Sequence, residues 1–404
     1  MSSSVASLLS SIADVGQDTM RGGYSRPVYS IAELDLRSWF IAEAEKRALE
    51  VEIDYNGIIW AWWDLPSGDR TGALVTGSHL DSVPGGGAFD GPLGIASALV
   101  AIDFLRDQGR QPEQALAIAV FPEEEGSRYG IACLGSRLFT GAIPKSRALS
   151  LTDESGTSFA EQSSAVGIDP SRMGPDFERL SSIGAFIELH VEQGRGLIDL
   201  EQPVAIGSSI LGHGRWRLRF DGQGNHAGTT LMTGRRDPLI AASALISSIP
   251  SIALDHPGAR ATVGRVEPIP GGTNVIASQV DAWLDVRHPD DAVTSLVVSR
   301  ITERAQEYAL EQGCTVSVRE ESLSPTVGFD IDLRRRLEAE LPQAPVLETG
   351  AGHDAGILAA YVPSAMLFVR NPTGISHSPE EHVEDSDAEA GATKLADVLM
   401  ADIR

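Results

Sequence analysis

Residues 74–95 read LVTGSHLDSVPGGGAFDGPLGI, and the reading of this stretch decides how the rest of the chain is understood. It opens within an apolar run, Ala73-Leu74-Val75, of the kind that forms a buried strand. His79 and Asp81 follow two residues apart, then the glycine turn Gly85-Gly86-Gly87, then Asp90 just ahead of a helical pattern. Alternate side chains of an extended segment share a face, so His79 and Asp81 are expected to point the same way. That spacing suits an imidazole that holds a cation through one nitrogen while a carboxylate fixes the other. Asp90, on a loop entering a helix, is suited to bridge two cations. A lone His-x-Asp is more often a surface turn with scattered polar groups, so the rest of the chain has to decide.

With 404 residues the chain is long enough for two domains, or for one domain carrying a large insertion. A hydrophobic content of 42% fits a globular protein with a sizeable core. The net charge of −24 opposes binding to nucleic acid or to an anionic membrane, but says little about a small anionic substrate held in a local pocket. Only two cysteines occur, Cys133 and Cys314, which argues against a disulfide framework or a thiolate zinc site and for a reducing cytoplasm. The N-terminal segment lacks a basic stretch and carries early acids, unlike a secretory signal. No uncharged apolar run approaches the roughly 20 residues that span a bilayer. A cytoplasmic protein is expected.

Strand and helix patterns alternate through the first half. Helices are predicted over Ser2–Asp14 and Glu33–Leu49, and a strand over Ile58–Trp63, whose three tryptophans suit core or sheet-face packing better than stacking on carbohydrate. A helix over Leu93–Leu105 and an apolar strand over Leu116–Val120 follow, and the strand runs straight into Glu123-Glu124-Glu125. Three adjacent acids after a buried strand suit a cation site, because α/β sheets gather functional groups at the carboxyl ends of their strands. Helix-and-loop material is expected over Ser146–Val166 and Pro175–Leu180. Another strand, Ala185–Gly194, carries Glu188, His190 and Glu192 on one face by alternation.

From about Pro203 the pattern changes. Arg215–Phe220 alternates polar and apolar, as a half-solvated strand does. Then come a glycine-rich turn at His226, a helix over Asp237–Ile249, strands over Ala261–Val266 and Val280–Val286, a helix over Ala292–Gln312 and a strand over Thr315–Arg319. This order predicts an α+β domain with an antiparallel sheet. The α/β character then resumes with helices over Asp330–Leu341 and from His353, a strand over Ala365–Val369, and a last helix over Asp387–Ile403. The predicted architecture is an α/β domain, 1–207 and 326–404, interrupted by an inserted domain, 208–325.

Five candidate ligands then lie at strand ends of one sheet: His79, Asp90, Glu125, His190 and His377. Imidazole and carboxylate without thiolate suit Mn, Co, Ni or Zn. Five groups are too many for one catalytic zinc with an open position. They suffice for two metals about 3.5–4 Å apart if one carboxylate bridges, and Asp90 is the best bridge.

Eight motifs in order resemble the M20 group of dinuclear metallo-amidohydrolases: GSHLDSVPGGGAFDGPLG, EEEGSRY, ELHVEQG, GNHAGTTLM with RRD, GGTNVIAS, DVRHPD, GAGHDA and GISHSPEE. The resemblance spans nearly the whole chain. It is narrowest to the branch of N-carbamoyl-L-amino acid hydrolases (hydantoinase/carbamoylase family), β-ureidopropionases and allantoate amidohydrolases. It implies a phosphorylase/hydrolase-like metallopeptidase catalytic domain with an inserted lid and dimerisation domain, two divalent metal ions, a small ureido substrate bearing a carboxylate, and a homodimer.

By the same resemblance His79, Asp90 and His190 would hold one metal, and Asp90, Glu125 and His377 the other. Asp81 would orient His79, and Glu124 would be the general base. The chemistry agrees for Glu124, since a carboxylate among like charges gains proton affinity. His226 would stabilise the oxyanion, Asn274 and Arg287 would grip the substrate carboxylate, and Gln193 and His353 would line the pocket. The planar fork of Arg287 suits a carboxylate, although a salt bridge with Asp285 or Asp290 is the alternative. No catalytic role is expected for His213, His256, His288 or His382. Leu231 and Ala277 stand where the family usually has proline, which bears on loop geometry and substrate choice. The implied activity is hydrolysis of an N-carbamoyl-L-amino acid, with allantoate or β-ureidopropionate as alternatives. An N-acyl amino acid or dipeptide hydrolase is more distant. An inactive binding homologue is disfavoured, because neither Glu124 nor any ligand is missing.

Overall fold

A computed structural model describes residues 3–400 and divides the chain into two compact units. One runs up to Ser208 and resumes at Gly328; the other is Ser209–Val327. In chain order the strands are β1 (Glu50–Ile53), β2 (Ile59–Trp63), β3 (Ala73–His79), β4 (Leu116–Phe121), β5 (Ile183–Val191) and β6 (Val204–Ile210). Next come β7 (Gly212–Asp221), β8 (Asn225–His226), β9 (Arg260–Ile269), β10 (Val275–Ile276), β11 (Gln279–His288) and β12 (Thr315–Ser324). The chain closes its strand set with β13 (Val327–Gly328), β14 (Val346–Thr349) and β15 (Ser364–Val369).

The larger sheet has the order β1-β2-β4-β3-β5-β15-β6-β13, with β14 paired to β6. Its centre is parallel: β3 pairs with β4 and β5, and β15 pairs with β5. Strands β3, β4 and β15 are buried along their whole length, as parallel strands covered on both faces must be. The register sets His79 opposite Phe121 and Phe368 opposite His190, so four parallel strands deliver their carboxyl ends to one edge.

The helix Pro92–Asp107 covers this sheet and buries most of its residues, including Ile95, Leu99 and Ile102. Each fully buried aliphatic side chain of this layer contributes about 1.5–3 kcal/mol. Proline at the first helical position and Gly91 ahead of it set the entry. Gly91 has φ +83°, and a Cβ there would lie 2.7 Å from the ring of His79, so only glycine fits between that ring and the helix start.

Trp60 and Trp62 are buried and stack with ring centroids 5.9 Å apart, and the Trp60 indole donates to Asp54. Their role is packing.

The second unit has a four-stranded sheet, β12-β7-β11-β9, with antiparallel pairs throughout. The helices Pro238–Leu254 and Asp291–Glu311 pack its apolar face around Leu218, Phe220, Leu245, Val280 and Ile301. A separate two-residue ladder pairs His226 of β8 with Val275 of β10.

Several boundaries differ from the sequence expectation. The first helix is shorter, Val5–Ser11, because a capping box between Ser4 and Ser7 starts it late. The second starts earlier, at Ile31, because the Ser30 hydroxyl accepts the N–H of Glu33. Strands β1, β6, β13 and β14 and the helix Leu134–Thr140 have no counterpart in the sequence expectation. The last helix is Asp385–Leu399; Ser2 of the first expected helix and residues 401–403 of the last lie outside the described residues. Among the described residues no helix is long and apolar enough to cross a membrane.

Candidate metal centre

His79 is the last residue of β3, His190 sits one residue before the end of β5, and Asp90 lies in the turn before the Pro92 helix. The Nε2 atoms of His79 and His190 lie 3.3 and 3.1 Å from the same oxygen, Asp90 Oδ1. The other oxygen, Oδ2, lies 3.5 Å from His377 Nε2, which is 3.4 Å from Glu125 Oε2. Asp90 therefore divides its carboxylate between two donor sets, His79/Asp90/His190 and Asp90/Glu125/His377.

The tautomers of the two buried imidazoles show what belongs between them and Asp90. His79 Nδ1 lies 3.0 Å from the carbonyl of Asp81, and His190 Nδ1 lies 2.9 Å from the carbonyl of Val191. A carbonyl only accepts, so both Nδ1 atoms carry hydrogen and a neutral ring offers a bare lone pair at Nε2. Both Nε2 atoms are buried without a hydrogen-bond partner and face an anionic oxygen. A cation between them removes that repulsion. Without one the same field drives a proton onto the rings. Burial opposes a charge on His79, but the carboxylates of Glu124, Asp90 and Asp81 outweigh it and hold the ring's pKa well above the usual histidine range. Burial likewise works to raise Asp90, yet His190 and His79 hold it well below the carboxylate range. The donors fit divalent cations of intermediate softness.

The three glutamates after β4 point to three different tasks. Glu123, at φ +56°, accepts the N–H groups of Arg128 and Tyr129 and closes the acidic turn on itself. Glu125 faces His377 and accepts the N–H of Val83 at 3.3 Å. Glu124 places Oε2 3.7 Å from His79 Nε2, while Oε1 accepts the Cys133 thiol at 3.5 Å. Burial raises the pKa of Glu124 well above the ordinary value; His79 opposes this, and Asp354, Glu125 and Glu188 reinforce it.

Asp81 and Glu192 both lie just past the end of a strand. The carboxylate of Asp81 stands 3.7 Å from His79 Nδ1 and its backbone carbonyl takes the ring hydrogen instead. Strand β3 ends at His79, so the period of two no longer applies two residues on. Strand β5 ends at Val191 in the same way, and Glu192 turns aside to accept the N–H groups of Gly196 and Leu197.

Gln193 and His353 both lie at the donor sets. Gln193 Nε2 donates to Asp90 Oδ2 at 2.9 Å and to Ser376 Oγ at 3.0 Å, and its Oε1 is buried without a partner. His353 is buried with neither ring nitrogen hydrogen-bonded, its Nδ1 3.9 Å from Glu124 Oε1 and its ring centroid 4.4 Å from that of His190.

In the second unit His226 is exposed, and its Nδ1 accepts the N–H groups of Gly228 and Thr229, which leaves the ring hydrogen on Nε2. The Asn274 carbonyl accepts the N–H of Ala227. Arg287 spreads its fork over both oxygens of Asp285, at 2.8 and 3.2 Å, the salt bridge that its sequence neighbours suggest.

Behind the donors lies a layer of buried acids and hydroxyls, of which the strand pattern marks Glu188 alone. Glu188 accepts from Ser78 Oγ at 3.0 Å and from the N–H of Ala355 at 2.9 Å. Ser136 bonds Asp354, whose pKa burial and Glu188 push up to about 8. Glu381 accepts the N–H groups of Phe89 and Asp90. The signal available for Glu188 was a charge within an otherwise apolar strand, which demands partners; nothing comparable marks Glu381.

The profile of peptidase family M20/M25/M40 matches residues 75–401. The chain is 33% identical over 391 residues to the N-carbamoyl-L-amino acid amidohydrolase of Geobacillus stearothermophilus, covering 96% of this chain and 95% of that one. It is 32% identical over 388 residues to the allantoate amidohydrolase of Bacillus subtilis (strain 168), covering 94% and 92%. Its fold is similar to that of a hydantoinase/carbamoylase-family amidase from Burkholderia multivorans, with a TM-score of 0.88 at 30% identity over 98% and 96% of the two chains. The chain belongs to peptidase family M20/M25/M40, and its amidohydrolase relatives make it a hydrolase of C–N bonds.

Proposed function

We propose that the chain hydrolyses the carbamoyl C–N bond of an N-carbamoyl-L-amino acid, giving the L-amino acid, CO2 and ammonia, with two divalent cations per chain (Mn, Co, Ni or Zn) in a reducing cytoplasm. The observation that carries the chemistry is the division of Asp90 between two donor sets with Glu124 beside one of them. The relatives named above support the substrate class.

His79, Asp90 and His190 would hold one cation, and Asp90, Glu125 and His377 the other. Cations there would polarise the ureido carbonyl and acidify an attacking water. Glu124 is the general base: it accepts the water proton as the C–O bond forms and returns it to the departing nitrogen as the C–N bond breaks. The carbamic acid released in this way decomposes to CO2 and ammonia. Burial and its acidic neighbours raise the proton affinity of Glu124, the direction a general base needs. His226 donates Nε2–H to the developing oxyanion. Asn274 and Arg287 bind the substrate carboxylate, for which Asp285 now stands in at Arg287, and Gln193 and His353 line the pocket. The second unit, Ser209–Val327, acts as lid and dimer contact.

The test is a panel of N-carbamoyl-L-amino acids, β-ureidopropionate, allantoate and N-acetyl amino acids, offered to apo protein reloaded with each of the four metals. Turnover confined to N-carbamoyl-L-amino acids is the expected result. The alternative, an allantoate amidohydrolase, is favoured by relatives of that name at 32% and 30% identity, and preferential turnover of allantoate would establish it.

A further inference from the structure

Glu381 is almost wholly buried, carries no ion pair among the described residues, and lies outside the roles assigned above. Its Oε1 accepts two backbone N–H groups, from Phe89 at 3.1 Å and Asp90 at 3.0 Å. Its Oε2 accepts the hydroxyl of Ser376 at 3.3 Å. Ser376 Oγ in turn accepts Gln193 Nε2, which also donates to Asp90 Oδ2. The result is a closed ring: Glu381 holds the main chain of Asp90, Gln193 holds its side chain, and Ser376 joins the two.

The ring ties together segments far apart in the chain. Asp90 belongs to the glycine turn after β3, and His377 belongs to the loop after β15. His79 and His190 are fixed by their strands, but His377 is half exposed and its position depends on how its loop is fastened. Glu381 supplies that fastening four residues on, helped by the Phe89 ring set edge-on to His382. Gly87 gives an independent sign that the carboxylate is built into this turn. A Cβ at Gly87 would overlap Glu381 Oε1, although the backbone there is not in the left-handed region.

We propose that Glu381 is a positioning residue that clamps the Asp90 turn to the His377 loop and thereby sets the affinity of the Asp90/Glu125/His377 site, leaving the His79/Asp90/His190 site to the strands. The inference rests on the dinuclear reading above. Removing a partner that orients metal ligands commonly costs 10–100-fold in affinity. The loss is expected at one site of two.

The experiment titrates full-length apo protein with Mn2+ and reads free Mn2+ by electron paramagnetic resonance, giving stoichiometry and both dissociation constants without reference to turnover. Wild type should bind two ions. Glu381→Ala should weaken the second ion by about 10–100-fold and shift the first by no more than a few-fold. Glu381→Gln keeps an oxygen for the two N–H groups and an amide for Ser376, and should bind both ions. Gly87→Ala should reproduce the Glu381→Ala split by displacing the carboxylate. Wild type binding a single ion defeats the dinuclear reading itself. Wild type with two ions and Glu381→Ala also with two at unchanged affinity defeats the clamp. Parallel weakening of both ions in Glu381→Ala and Gly87→Ala, or failure of Glu381→Gln to bind two, shows a general structural role and defeats it equally.

Discussion

Asp81 Oδ2 accepts the backbone N–H of Glu125 at 3.1 Å, so an acid next to one strand end fixes the main chain at another. Its Oδ1 takes the N–H of Glu124 at 3.2 Å. The same residue's carbonyl sets the tautomer of His79. One residue thus orients a donor imidazole and aims Glu124 and Glu125, two of the three glutamates of the acidic turn. Asp81→Asn keeps one acceptor but turns an amide NH2 towards a buried N–H. We expect a stability loss of about 1–3 kcal/mol and a fall in kcat of about 10–100-fold, read by thermal unfolding and steady-state kinetics with metal content checked alongside. Asp81→Asn with wild-type kcat would limit Asp81 to a bystander.

Glu124 faces the donor set without belonging to either of the two that share Asp90. Glu124→Gln keeps the shape and the contact from Cys133 but cannot take a proton. Metal content should stay at the wild-type value while kcat falls by about 10²–10⁴-fold. Turnover within a few-fold of wild type would assign the base to another group.

Asp90 contributes an oxygen to each donor set. Asp90→Ala should therefore lose both ions, whereas His377→Ala should lose one. Exhaustive chelation of the wild type should abolish activity, and readdition of a divalent metal should restore it. Elemental analysis of the dialysed proteins separates these cases, and one ion retained by Asp90→Ala would exclude its bridging role.

Much of this site could be read from residue order because its donors sit where strands end. An apolar run that stops at a histidine or runs into a glutamate cluster announces a carboxyl edge, and His79, Glu125 and His190 all obey that rule. Asp81 and Glu192 each lie just past the end of a strand, where the period of two lapses, so alternation could not say which groups they bond. Glu381 and Asp354 were invisible for a different reason. Their partners are backbone amides and hydroxyls remote in sequence, such as Asp90 N–H and Ser136 Oγ, and no local pattern encodes such a meeting. Strands β6 and β14 were missed because they are paired at the margin of the sheet and carry polar residues that read as loop. For Arg287 the sequence left a substrate carboxylate and a salt bridge with Asp285 or Asp290 open, and its guanidinium bonds Asp285.

Asp54 provides a pH test away from the metal centre. Burial pushes its pKa up to about 6, against the hydrogen bonds from Trp60, Ile58 and Asn56. The folded value exceeds the unfolded one of about 3.9, so its contribution to stability is fully present below pH 4 and is lost as pH rises through 6. A two-unit separation corresponds to about 3 kcal/mol, roughly half of it between pH 5 and 8. Asp54→Asn does not titrate. The stability of wild type relative to Asp54→Asn should therefore fall as pH rises from 5 to 8, measured as the difference in unfolding midpoint at each pH. A pH-independent difference would mean that Asp54 stays ionised in the folded chain.

His226 offers a donor whose tautomer is already chosen. Its Nδ1 accepts the N–H groups of Gly228 and Thr229 at 3.1 and 3.2 Å, so the ring hydrogen is committed to Nε2 and the exposed edge of the ring can only donate while neutral. A donor prepared in this way strengthens its bond as charge builds on a carbonyl oxygen, and loss of one such donor costs about 10²–10³-fold in kcat. His226→Ala should show that loss with metal content unchanged, since no donor set includes it. If the residue serves the site of a partner subunit, His226→Ala chains and Glu124→Gln chains will each be inactive alone and active once mixed. Every mixed dimer then contains one site with both the base and the donor intact, and activity should approach one working site per mixed dimer. Subunit exchange is verified by differential tagging. Exchange without recovered activity, beside a His226→Ala defect in kcat, assigns His226 to the site of its own chain; His226→Ala at wild-type kcat removes it from catalysis altogether.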